Sequence, residues 1–134
     1  MTWLAILWSL ILLELAGLHA LWAARIWWPI RQEGALARAV AGFAGIDRMP
    51  PPAACAGVAV ALTALASLPW WPDGPLRFLL LVSVAAVFGV RGIAARLPAW
   101  ERLTPEQPFR TYDRLAYGPL CLGLAVLALL LSFT

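Results

Sequence analysis

The chain has 134 residues, of which 63% are hydrophobic and 13% charged, with a formal net charge of +3 and a mean hydropathy of +0.82. Soluble domains carry about a quarter charged residues, so a water-soluble globular fold is excluded and an integral membrane protein is indicated. The basic residues are all arginine, a set that speaks first about membrane topology and gives no nucleic-acid signal.

Four segments are long and apolar enough to cross a hydrocarbon core that needs roughly 20 residues of helix. The first runs from Trp3 to Ala24. It lacks a basic leading region, is too long for a signal core and is followed by no small-residue cleavage site, so it reads as a retained span. Glu14 stands near its midpoint, where a charge costs roughly 2.5 to 3.5 kcal/mol on insertion scales. A carboxyl there is expected to be protonated, paired or turned to the bundle interior. Gly17, one turn on, offers a place for close helix approach, so this face is expected to be packed. Two readings of Glu14 stay open, a structural pairing or a proton or ion site. His19 lies about 140° further round and shares a stripe with Trp8, Leu12, Leu15 and Trp22. It reads either as a histidine donating one hydrogen bond inside the bundle or as a haem, metal or proton-relay residue.

Between Pro29 and Pro50, Leu36, Val40 and Phe43 recur at i, i+4 and i+7 with Arg31 and Arg38 elsewhere on the wheel, which predicts a short interfacial helix in the first loop. Pro50-Pro51-Pro52 then leads into the second span, Ala53 to Trp70, since proline suits a helix's first turn. A tight Pro/Gly-rich turn separates it from the third span, Leu76 to Ala95. The following loop is interrupted by Pro98, Pro105 and Pro108 and is expected to be irregular. The fourth span is placed at Leu115 to Phe133, with Pro119 delaying regular helix until near Gly118.

The expected architecture is therefore all-α, a single four-helix transmembrane domain in a compact bundle with two longer loops. Nine of the ten arginines fall in or beside those two loops, and only Arg77 flanks the tight turn. The positive-inside rule makes the long loops cytoplasmic and both termini outside. Trp3, Trp70 and Trp71 would mark the outer interface, and Trp22, Trp27, Trp28 and Trp100 the inner one.

One polar cluster can be assembled at the cytoplasmic side, from Glu14, His19, Asp113, Arg114, Tyr117 and Cys121. On a continuous helix Asp113, Tyr117 and Cys121 would form one stripe. The plainer reading is an ion-paired helix cap with Arg114 snorkelling to the interface. Cys55 and Cys121 both face the reducing side, so no structural disulfide is expected. One histidine and two distant cysteines match no metal spacing. No catalytic or phosphate-binding motif is found, and no cofactor is indicated.

The stretches LHALWAARIWWPIRQEGALARAVAG, MPPPAACAGVA and YDRLAYGPLCLGLA resemble a family of small four-span bacterial membrane proteins catalogued as domain of unknown function 3995. The likeness covers about half the chain, and the block Asp113 to Cys121 carries it most specifically. Gly118 departs from the small polar residue expected there. The resemblance implies the four-span fold and the polar cluster, without an activity. A looser likeness, Glu14 followed by Gly17 in the first of four spans, is to small multidrug-resistance exporters. Their short loops and weak charge bias let copies insert in opposite orientations, which the arginine asymmetry here argues against. The function expected from the sequence is a non-catalytic inner-membrane protein, in contact with lipid, that packs against or assembles a larger membrane complex. The alternatives are a proton-coupled small-molecule or ion carrier using Glu14 and a cofactor-binding membrane protein using His19.

Overall fold

The computed structural model describes residues 2–134, and every regular element is helical. Helix α1 (Thr2–Ala23) is followed by α2 (Glu33–Val40) and α3 (Pro52–Ser67), which tightens into a 3₁₀ turn at Leu68–Trp70. After the tight turn come α4 (Pro75–Ala94), α5 (Pro98–Leu103), α6 (Phe109–Tyr112), a π-helical turn at Asp113–Tyr117 and α7 (Gly118–Ser132). Four helical stretches are long and apolar enough to cross a membrane: Thr2–Ala23, Pro52–Trp70, Pro75–Ala94 and Phe109–Ser132, with mean hydropathies of 1.7 to 2.1.

The bundle is built from two hairpins, α1 on α3 and α4 on α7, which meet where α1 touches α7. Trp8, Leu12, Leu81, Leu124, Ala128 and Leu131 fill the shared core. Trp8 is fully buried, packs edge-on to Phe88 at 6.1 Å and donates its indole N–H to Leu65 O at 2.9 Å, so the largest core ring brings a satisfied polar atom with it. The outward faces carry Val60, Val87, Val90 and Leu115, each at least two-thirds exposed, as lipid contact requires.

Both long loops lie at one end, here the loop end, and they interlock. Helix α2 does not lie flat on the surface. Leu36 and Ala37 are fully buried against Trp22, Met49 and Cys55, so α2 closes the loop end, and Phe43 lies past its last turn and is exposed. Gly42, at φ +68°, puts its α-carbon against the Phe109 ring so closely that a Cβ would stand 2.2 Å from it. Glu106 joins the loops twice, accepting from Gly45 N at 3.0 Å and donating its own N–H to Gly42 O at 3.1 Å.

The fourth span begins at Phe109, six residues before the position expected. The third loop, expected to be irregular, holds α5, because Pro98 sits at a first-turn position where its missing N–H is harmless. Pro119 is absorbed in the same spirit. Gly118 N bonds to Asp113 O five residues back, and this wider π turn replaces the i−4 pattern that a proline ring would disrupt.

Candidate functional site

The charged cluster at the loop end is centred on Asp113, which has no solvent exposure. Its Oδ1 accepts from Arg91 Nη2 at 2.6 Å, and its Oδ2 accepts from Arg110 Nη2 and from Trp100 Nε1, each at 2.9 Å. Arg110 and Asp113 stand three residues apart on the same helical stretch, one turn. Arg91 arrives from α4, and Trp100 from α5. The Arg91 guanidinium also stands 5.1 Å from the centre of the Trp100 ring, within cation–π range.

Arg110 holds more than the carboxylate. It donates to Ala95 O at the end of α4 at 2.9 Å and to Thr104 Oγ1 at 2.9 Å, while Thr104, also fully buried, donates to Trp100 O at 2.7 Å. One side chain thereby ties the ends of α4 and α5 to the start of the fourth span. A buried carboxylate is tolerated only when paired and fully hydrogen-bonded, and here both oxygens are occupied by charged or indole donors. Its chemistry is that of a fixed clasp, since no lone pair faces an open site.

The other expected members lie elsewhere. Tyr117 donates its hydroxyl to Ala39 O in α2 at 2.9 Å and packs beside Phe109 at 5.7 Å between ring centres. Arg114 is exposed and pairs with Glu101 at 3.5 Å. Cys121 is half-buried and Cys55 buried, and both are free thiols. The stripe of Asp113, Tyr117 and Cys121 is not formed as expected, because the π turn between them adds a residue to one revolution. Asp113 is consequently buried between α4 and α5 while Tyr117 reaches α2.

Within the chain Glu14 does not take the packed position expected of it: it is exposed on the outward side of α1, and a Cβ on Gly17 would meet nothing within 4 Å. The core-facing side of α1 is taken by Trp8, Leu12 and Ala16, and Glu14 lies on the opposite half of the wheel. Among the described residues it has no hydrogen bond or ion pair within the chain. His19 is half-buried, donates from Nδ1 to Leu15 O at 2.8 Å and sits 4.8 Å from the Trp22 ring, the arrangement expected of a bundle histidine. It lines a groove of about 200 Å³ with Trp22, Met49 and Cys55. Among the described residues no three His, Cys, Asp or Glu side chains converge as a metal site.

The aromatic anchors divide. Trp3, Trp28, Trp70 and Trp71 are exposed. Trp22, expected at the inner interface, is buried and donates to Trp28 O at 2.9 Å, and Trp100 is held inward by Asp113. Arg91, Thr104 and Arg110 were absent from the cluster expected from the sequence. Only the Arg110 to Asp113 spacing was a local signal.

No known family, curated protein or solved structure matches this chain.

Proposed function

We propose that the chain is a non-catalytic integral protein of the bacterial inner membrane, an accessory or assembly subunit that packs against a larger membrane complex. The carrying observation is that both oxygens of buried Asp113 are held by Arg91, Arg110 and Trp100. The charge cluster buried at the loop end is spent on holding helices together, which leaves the lipid-facing helix surfaces as the working part of the molecule. One such surface, between α1 and α7, is a groove of about 390 Å³ lined by Leu7, Ile11, Gly123 and Leu127, apolar and open as a helix-packing site in lipid needs to be. The likeness to the four-span family, carried by the block around Asp113, is in keeping with this reading. The arginine asymmetry supports cytoplasmic loops and external termini.

Gentle purification through a chromosomal tag tests it. A different membrane polypeptide is expected at fixed stoichiometry, with no chromophore in the absorption spectrum. Isolation without any other polypeptide overturns the reading.

A second reading, a proton-coupled carrier, is favoured by one observation, the exposed carboxyl of Glu14 near the middle of a span. Transport into reconstituted vesicles that is lost in Glu14→Gln would support it, and unchanged transport would remove it.

A further inference from the structure

The outward face of α1 has an order that a lipid-facing surface does not need. Trp3, Leu7, Leu10, Glu14, Gly17, Leu21 and Ala24 follow one another at alternating steps of four and three residues. Trp3, Leu7 and Leu10 are 65%, 43% and 56% exposed, Glu14, Gly17 and Ala24 are exposed and Leu21 half-exposed. Alternating four-three spacing is the seam of left-handed helix pairing, with a 3.5-residue repeat. Leucines supply the knobs, and Gly17, with open space where a Cβ would stand, lets a second backbone approach. Glu14 occupies the middle of this seam. In hydrocarbon an unpaired carboxyl costs several kcal/mol, and among the described residues Glu14 has no partner.

A partner must therefore bring a hydrogen-bonding group to the depth of Glu14. The arginine asymmetry gives every copy the same orientation, so two copies pair about an axis along the membrane normal. On such an axis each seam residue meets its own counterpart. Glu14 of one copy then faces Glu14 of the other at equal depth, beside two glycines. A neutral carboxyl carries one O–H donor and a carbonyl acceptor, so two of them satisfy each other in a reciprocal pair. A single polar residue in an otherwise apolar seam also fixes register.

We infer that a second copy of this chain docks on the outward face of α1, as a parallel two-fold pair closed at its centre by reciprocal Glu14–Glu14 hydrogen bonds. The pairing shares Leu7 with the α1–α7 groove, but Glu14 and Gly17 lie outside that groove's lining, so its central contacts are separate from it.

Disulfide trapping in native membranes tests it, with Leu10→Cys on the seam and Val87→Cys, 67% exposed on α4, as the control, and with the wild-type chain reporting the background from Cys55 and Cys121. Mild oxidation is expected to give a covalent dimer of Leu10→Cys at least about tenfold more abundant than that of Val87→Cys. Adding Glu14→Leu is expected to lower the trapped fraction roughly tenfold, the scale of an interhelical hydrogen bond in lipid. Adding Glu14→Gln is expected to preserve it, because a carboxamide also donates and accepts. Equal trapping at Leu10 and Val87, insensitivity to Glu14→Leu, or trapping of Leu10→Cys only to a different polypeptide would each overturn the inference. A trapped dimer from a preparation free of other polypeptides would sink the accessory-subunit reading and leave this one standing.

Discussion

Asp113 and Glu14 are both carboxylates within or bordering apolar helices, and their surroundings give them opposite roles. Asp113 has two guanidinium groups and an indole N–H on its two oxygens. Replacing it with asparagine keeps the volume but leaves Arg91 and Arg110 without their countercharge. Breaking one partner out of a buried ion pair costs about 3 to 5 kcal/mol, so Asp113→Asn is expected to lower the thermal midpoint of the detergent-solubilised protein by several degrees. An unchanged melting curve would show that the clasp contributes nothing to stability. Local spacing made part of this legible, since Arg110 stands one turn before Asp113. Arg91 and Trp100, 22 and 13 residues away, come into reach only because α4 packs on α7 and α5 folds back beneath it.

Glycines remove side chains from the contact of α4 with α7 beside the clasp. A Cβ on Gly92 would lie 2.9 Å from Gly118 O, and one on Gly118 would lie 2.8 Å from the Ala95 Cβ. Both glycines are buried beside the Asp113 clasp, so the ion pairs depend on this crossing distance. Gly92→Ala forces a methyl against a backbone carbonyl that cannot step aside, and overpacking of this kind costs about 1 to 3 kcal/mol. Gly57→Ala, where a Cβ meets nothing within 4 Å, is expected to leave stability equal or slightly higher, because alanine is the better helix former. Comparison of the two unfolding curves in detergent checks the pair. Gly118 was marked in the sequence only as a departure from a family pattern. Its reason is double: a Cβ there would stand 2.7 Å from Asp113 O in its own π turn and 2.8 Å from the Ala95 Cβ across the helix contact, and only the second depends on tertiary packing.

For the molecule as a whole, charge and hydropathy act at long range. Nine arginines gather at the loop end, and Arg77 alone serves the other end, where it pairs with Asp73 at 3.2 Å and donates to Leu131 O at 3.3 Å near the close of α7. A cation at a helix C-terminus is favourable, so this arginine has a local task that explains its exception to the bias. The topology proposed from that bias is checked by fusions. Alkaline phosphatase joined after Thr134 is expected to be active, and the same reporter inserted at Ala44 inactive. The reverse pattern would invert the protein in the membrane and move the long loops outside.

The sequence by itself determined the four spans, their approximate limits, the all-helical class and the end at which basic charge collects, because hydropathy and charge are summed along the chain and need no neighbours. It also placed His19 beside Trp22, a relation set within a single turn. Tertiary structure alone decided which way each helix turns. It put Glu14 outward and Asp113 inward, turned Trp22 and Trp100 toward partners within the chain, and folded α2 into the loop end. In a membrane helix the lipid side and the protein side are both apolar, so amphipathic patterning has little to distinguish them. Rotation is then set by where small residues permit close approach and where buried charges find partners.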